Sequence, residues 1–312
     1  MNLHKNRNII FPLLLILTLG NLRTDAQDLA NFNSAFTDIG MGARPLGMGQ
    51  AYSALAADAN AILWNPAGII EVKKFEGTFS YTRLYDLVPY SFASLVYTFS
   101  PNFSLAEGVI ISGDDLLNEL TLTTCLATRF YLSNYKINLG ITFNLYSASF
   151  GKTDEIETNV SGSALGYSLG WGTQVFLSQK IIIACHFKNI LNQINWNSST
   201  LGNYEEGLPQ NWIIGIGFKN FYSLNFDFDF HKSLFQDIED KFYIGAERIF
   251  FSKIFLRSGT GSSINQSQPL FYTFGFGINH VITNQLNFQI DGAYIIHPLE
   301  NMFRISLSIG AK

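Results

Sequence analysis

The sequence predicts an all-β protein, a 14-stranded antiparallel transmembrane β-barrel plugged by a small N-terminal hatch segment. Three observations predict it. From residue 75 onward apolar and polar residues alternate with period two, the mark of strands with two unlike faces. Most of these stretches exceed the ~5–6 residues usual in globular strands and suit a tilted membrane-spanning strand of ~9–11. The connections between them alternate between short turns and longer loops, the rhythm of an up-and-down outer-membrane barrel. Composition agrees: 14% of residues are charged, against roughly 25% in ordinary soluble domains, beside 28 Phe and 14 Tyr. A soluble β-sandwich with its Phe face inward is the competing architecture.

Residues 1–26 read as a cleaved secretory signal. Lys5 and Arg7 precede an apolar run from Ile9 to Leu19, too short to span a bilayer, and Thr24-Asp25-Ala26 forms a cleavage site before Gln27. Its removal takes three basic residues and one acidic residue, moving the net charge from −4 to −6. An acidic chain of this kind is not a nucleic-acid partner. Cys125 and Cys185 are too few for a disulfide scaffold and read as small apolar strand residues.

Residues 27–74 read as the hatch. Gly40 to Gly49 is glycine-rich and turn-prone, without the βαβ surroundings of a dinucleotide fingerprint. Asp58 is placed to cap a short helix over 59–64, and Pro66 ends it at Asn65. So short an apolar segment needs a barrel mouth to fold in, and fourteen strands leave a lumen wide enough.

The barrel occupies 75–312. Its strands are expected near 75–82, 90–99, 103–111, 119–131, 135–148, 161–177, 180–190, 210–219, 221–231, 241–250, 253–260, 269–279, 284–296 and 302–310. The second and third alternate poorly. Short turns fall at Pro101-Asn102, Ser133-Asn134, Ser178-Gln179, Asn220, Phe251-Ser252 and Thr283; the longest loops fall near 149–160 and 191–209. Closure is required because every backbone N–H and C=O in hydrocarbon needs a partner. Leu224-Asn-Phe-Asp-Phe-Asp-Phe230 shows the two faces best: Phe outward to lipid, Asn225, Asp227 and Asp229 toward a hydrated lumen. Asn287, Asp291 and Arg304 join that inner face, with Arg129, Lys188 and Arg257 to balance it. Tyr81, Tyr90, Tyr131, Trp212, Tyr272 and Tyr294 are placed for the aromatic girdles.

Chemistry for catalysis is sparse. His231 and His297 are expected at the outer rim, with Asp237, Glu239 and Asp240 nearby, so a rim hydrolase is one alternative and a purely structural role another; nothing marks a nucleophile. His and Cys show no metal-ligand spacing, and no cofactor is expected.

Gly42-Ala-Arg-Pro-Leu-Gly-Met-Gly49 followed by Asp58-Ala-Asn-Ala-Ile-Leu-Trp-Asn-Pro-Ala-Gly68 resembles the N-terminal signature of the PorV/PorQ-like family of FadL-type outer-membrane barrels. The likeness extends over 36–310 through Lys188-Asn189, Leu208-Pro209, Gly245-Ala-Glu247 and Phe303-Arg-Ile-Ser-Leu307; the chain ends Ile309-Gly-Ala-Lys312, where such barrels usually carry an aromatic residue. The resemblance implies a hatch motif at Trp64, Asn65, Pro66, Ala67 and Gly68. It implies outer-membrane lipid as surroundings. It also implies one of two roles: passive uptake of hydrophobic molecules such as fatty acids, leaving sideways through the wall, or partnership with subunits of type IX protein secretion. A transporter is expected to have an apolar pocket beside the hatch and a kink or gap in the wall, sought first at the glycines of strand 6 (Gly162, Gly166, Gly170, Gly172).

Overall fold

The computed structural model describes residues 36, 39–84, 88–114, 116–151, 160–235, 238–264, 270–282, 286–297 and 301–311. The signal segment, the start of the hatch and most of the 149–160 loop lie outside the described residues.

Fifteen strands form one antiparallel sheet: β1 (Phe75–Leu84), β2 (Val88–Ser100), β3 (Phe103–Gly113), β4 (Leu117–Leu132), β5 (Tyr135–Phe150), β6 (Gly162–Phe176), β7 (Ile181–Ser198), β8 (Gly202–Glu206), β9 (Asn211–Phe221), β10 (Leu224–Ser233), β11 (Lys241–Phe250), β12 (Ile254–Ser263), β13 (Phe271–Val281), β14 (Leu286–Ile296) and β15 (Met302–Ala311). Fourteen close into a ring in chain order, sealed where β1 meets β15 from Glu76↔Gly310 to Tyr81↔Ile305. The fifteenth, β8, pairs with the upper part of β7 and stands outside the ring.

Alternation explains the wall. Along β13, Thr273, Gly275 and Gly277 are buried while Tyr272, Phe274, Phe276 and Ile278 are exposed. The same outward apolar face recurs in Phe79, Leu95, Leu122, Ile141, Ile214, Ile290 and Phe303. A continuous apolar wall far exceeds the patches water-facing monomers carry, and a closed ladder leaves no edge for lipid to meet.

Four expectations need correction. The 191–209 loop is instead a continuation of β7 to Ser198 and a return as β8. Its Asn- and Gln-rich stretch reads as loop, but Ile194 and Trp196 keep the inward alternation, and Trp196 stacks on Tyr204 at 6.1 Å. The turn placed at Asn220 falls at Tyr222-Ser223, both left-handed as a tight two-residue hairpin requires. Tyr90 points inward, buried, and belongs to no girdle. Asp58 does not cap the helix: the helix spans Ala61–Trp64, and Asn60 holds the cap position without a side-chain bond. Poor alternation in β2 and β3 has a simple cause. Phe92 and Val96 on the inner face are fully buried against apolar hatch residues, so both faces are apolar.

The hatch fills the barrel. Helix α1 (Ala43–Gly47), helix α2 (Ala61–Trp64) and a 3-10 turn (Pro66–Glu71) bury Leu46, Met48, Tyr52, Ile62 and Ile69 against Ala106, Cys125, Ile182 and Ala184 of the wall. Pro66 has the expected effect: Asn65 is extended at φ −160°, ψ 107°, and the helix stops.

Candidate functional site

The hatch seats against glycines. Inward positions 245, 259 and 172 carry Gly, and a Cβ there would collide with the Met48 carbonyl, the Gly49 amide and the Asn65 side chain respectively. The wall therefore lets hatch backbone approach at van der Waals distance.

Two carboxylates of β10 grip that backbone. Asp229 accepts from the amides of Tyr52 (2.9 Å) and Ser53 (2.9 Å) and from the Ser53 hydroxyl; Asp227 accepts from the amides of Ala54 (3.1 Å) and Leu55 (2.8 Å). Both face inward as the alternation predicts, but neither lines a hydrated lumen. Asp227 is 0% exposed, because the hatch covers it. Bonding to four consecutive amides replaces water for both charges, which is what permits their burial.

A chain of alternating charges runs from hatch to wall. Arg44, from the glycine-rich motif, donates to Asp58 (3.1 Å) and to both oxygens of Glu247 (3.0 and 2.9 Å). Glu247 also receives Arg257 (2.8 Å), which reaches Asp291 (2.6 Å). Asp58 additionally takes the Tyr52 hydroxyl at 2.7 Å. Asn225 donates to Glu247 at 3.3 Å; Asn287 is half-buried near the lower rim.

The Trp64 to Gly68 motif is the knot of the hatch. Asn65 Oδ1 accepts from the Ala67 amide (3.2 Å), and its Nδ2 donates to the carbonyls of Ser53 (3.0 Å) and Thr173 (3.2 Å), so one side chain ties two hatch turns to β6. Trp64 Nε1 donates to the Met41 carbonyl, and His186 Nδ1 meets the Trp64 carbonyl at 2.8 Å. Gln174 donates to the carbonyls of Ala54 and Ala56. Below, Glu71 accepts from Arg129 (2.6 Å), Lys136 (2.9 Å) and Asn138 (2.7 Å). Burial opposes its charge, but hydrogen bonds from Asn138 and Lys136 and the charges of Lys136 and Arg129 outweigh it and hold the carboxyl below the usual range.

Beside this floor the β6–β7 ladder is irregular. The β6–β7 ladder pairs Leu169 with Leu191 and then Trp171 with Phe187, so Gly170 alone opposes Lys188, Asn189 and Ile190. Asn189 is left-handed at φ 57°. Above Lys188↔Asn211, β7 leaves β9 and pairs with β8. Side chains take up freed backbone groups: Asn189 donates to the Pro209 carbonyl, Gln210 to the Ile190 carbonyl, and Asn192 accepts from Leu208. This register irregularity falls among the strand 6 glycines. Sequence reasoning placed Gly170 there but missed Asn189, whose left-handed backbone Asn tolerates.

His231 packs edge-on against Tyr243 at 4.6 Å, His297 lies against Phe271, and the Asp240 carboxylate is occupied by Lys232 and the Ser233 amide. Asp237 lies outside the described residues.

No protein-family model matches the sequence, and neither does any curated protein. Solved structures do match in fold. The chain is similar to the CymD monoaromatic hydrocarbon channel at TM-score 0.61 and 13% identity, covering 89% of this chain and 98% of that one. It is similar to the Pseudomonas putida toluene transporter TodX at 0.57 and 9%, covering 87% and 97%. It is also similar to a Pseudomonas aeruginosa FadL homologue at 0.54 and 9%, covering 84% and 95%. The fold is that of the FadL-type barrels.

Proposed function

We propose that the chain is an outer-membrane channel that admits hydrophobic small molecules passively and releases them sideways into the membrane. One observation carries this reading: the hatch closes the barrel as a packed floor, and the adjoining β6–β7 ladder bulges at Gly170 and Lys188–Ile190, one inward position above the glycine that seats Asn65. A molecule entering from outside meets packed hatch, and its way onward is through the interrupted ladder. Above it packs an aromatic cluster of Phe36, Tyr146, Phe150 and Trp196. The neighbours named as hydrocarbon channels and a toluene transporter support the same reading, and they are channels rather than enzymes. Deleting Asn189 and Ile190 restores a regular ladder. Uptake of toluene by vesicles carrying the purified barrel should then fall to that of protein-free vesicles; unchanged uptake would refute sideways release.

A second reading is partnership in type IX secretion, in keeping with the PorV/PorQ-like resemblance. Its support is the β7–β8 hairpin, which runs ten residues beyond the last β7–β9 pair and exposes Leu191 and Leu201. Gentle purification with identification of bound subunits tests it, and a deletion strain that still displays its exported proteins would sink it.

A further inference from the structure

Exposed charge is segregated along the barrel axis. The chain is acidic overall, with 24 Asp and Glu against 20 Lys and Arg. Yet among the described residues every exposed charge at the end of the short turns is basic: Lys73 and Lys74 before β1, Lys180 in the β6–β7 turn, and Arg248 and Lys253 on either side of the β11–β12 turn. In a barrel of this type that end faces the periplasm. The exposed charges at the opposite end are mixed, Arg83 and Lys232 beside Asp114 and Glu205. Arg257 and Arg304 are buried on the inner wall and take no part in the segregation.

The basic face continues inward beneath the hatch. Lys136 and Lys219 both occupy inward positions, and their Nζ atoms lie 3.5 and 5.6 Å from the centre of one ring, Phe176. Glu71 is shared by Lys136 and Arg129. Lys219 makes no ion pair among the described residues; its amide donates to the Lys180 carbonyl at 2.7 Å, which joins the inner cluster to the exposed turn. Three cations against Glu71 leave positive potential at the mouth.

Two of the short turns beside these lysines carry aromatic tips. Tyr222 and Phe251 each open a two-residue turn, left-handed at φ 50° and 52°. They are 84% and 88% exposed, the most exposed large apolar side chains among the described residues. The first position of such a turn favours Asn, Asp or Gly, because a bulky side chain is strained there. Tyr222 rests an edge on Phe221 at 4.8 Å and leaves most of its ring in water. Strained backbone that presents exposed aromatics gains little within the chain, and such residues mark sites of function. The β6–β7, β9–β10 and β11–β12 turns are consecutive around the ring. Lysines and aromatic tips therefore share one sector about 20 Å wide, the reach of about six extended residues.

We propose that this sector is a docking surface for an acidic, aromatic-bearing segment of a periplasmic protein. Carboxylates of the segment pair with Lys180 and Lys219, and its apolar side chains pack on Tyr222 and Phe251, the division of labour usual at interfaces, with aromatic anchors and charge steering. Charge complementarity selects an acidic partner. The direction of the cations selects one from the aqueous side: Arg129, Lys136 and Lys219 turn into the mouth beneath the hatch, where lipid headgroups around the wall do not reach. The proposal does not depend on which molecule crosses the barrel.

The test titrates a synthetic peptide, Glu-Glu-Phe repeated four times, into the purified full-length barrel in nonionic detergent at about 0.05 M salt, where screening is weak. The comparison peptide carries Gln for every Glu. Wild type should bind the acidic peptide at least about tenfold more tightly than the Gln peptide. Lys180→Gln with Lys219→Gln should weaken acidic binding at least about fivefold and leave the Gln peptide unchanged. Tyr222→Asn with Phe251→Asn should weaken acidic binding by a similar factor while raising the temperature at which the barrel loses its heat-modifiable gel mobility, since Asn suits a left-handed turn. Weaker binding by a more stable barrel separates docking from a structural role. Equal affinity for both peptides in wild type overturns the proposal, as does full acidic binding in either double variant or a lowered mobility-shift temperature in the Asn pair. A second arm places wild type and the lysine variant in phosphatidylcholine vesicles with or without phosphatidylglycerol. A phosphatidylglycerol-dependent stabilisation lost in the lysine variant, beside unchanged peptide binding, assigns the lysines to lipid headgroups and also overturns the proposal.

Discussion

Asparagine substitutions at the two hatch-gripping aspartates should have very different consequences, although the residues are two apart on one strand. At Asp227 a single oxygen, Oδ2, accepts from both Ala54 and Leu55, while Oδ1 has no partner. In Asp227→Asn the new side chain can keep its carbonyl oxygen on the two amides and turn its NH2 to the side where no donor stands. The variant loses charge assistance but also removes repulsion from Asp229, so about 1 kcal/mol is the expected cost. At Asp229 both oxygens are engaged, Oδ2 by the amides of Tyr52 and Ser53 and Oδ1 by the Ser53 hydroxyl. In Asp229→Asn an NH2 must be set against one of these groups. If it faces the amides, buried donors are left unpaired at ~1–3 kcal/mol each, on top of the lost charge assistance, for about 3–5 kcal/mol in all. Hydrogen exchange of amides 52–55 reads this directly, since local opening free energies set the rate. Exchange should accelerate by about 10²–10³-fold or more in Asp229→Asn and by no more than about tenfold in Asp227→Asn. Equal acceleration, or the reverse order, would refute the geometry of the grip.

Three further outcomes follow from the same contacts. Glu71 is held below the usual carboxylate range, so its contribution to stability is present above the unfolded value near pH 4.5 and is lost as pH falls through the lower folded value; acid titration of wild type against Glu71→Gln should diverge above that window and converge below it. Gly245→Val should unseat the hatch at Met48 and lower the temperature at which the barrel loses its heat-modifiable gel mobility, while Ala246→Val, whose side chain points the other way, should not. Glu107 faces outward on β3, exposed and bonded to the Thr124 hydroxyl, between lipid-facing Leu105 and Val109; Glu107→Leu should raise stability against urea in vesicles by about 1–2 kcal/mol, and a loss of stability would show that this carboxylate meets a protein surface rather than lipid.

The ring was legible in the sequence because each strand carries its own record of inside and outside. Leu224 to Phe230 places Asp227 and Asp229 inward without any knowledge of neighbouring strands, and the alternation of turns orders the rest. What those aspartates hold was not legible. Period two says that a residue faces the lumen but not what fills the lumen, and the amides they bind belong to a segment more than 170 residues earlier. The inward glycines at 245, 259 and 275 were the available signal: small residues repeating on the inner face mark close approach of another chain segment. Polarity misled at Asn192 to Asn197, where a strand beyond the lipid can be polar on its outer face and still pack Ile194 and Trp196 inward. Asn189 needed its partner strand to be seen, because a bulge is a property of two registers.

The pairing of charges bears on how the hatch can move. Arg44 and Asp58 belong to the hatch, and Glu247, Arg257 and Asp291 belong to the wall. If the hatch withdraws whole, Arg44 and Asp58 leave as a neutral pair, whereas a partial shift that parts Arg44 from Glu247 while both stay dry strands two buried charges. Intact withdrawal also frees Glu76, which accepts from the Ala59 amide. The vacated wall would then present Glu76, Asp227, Asp229, Glu247 and Asp291 against Arg257 at that height, a strongly acidic ring. Cations concentrate in such a constriction and anions are repelled. Conductance released by loosening the Asp229 grip should therefore be cation-selective if the hatch leaves as one piece; non-selective conductance would mean that it frays and keeps part of its charge in the lumen.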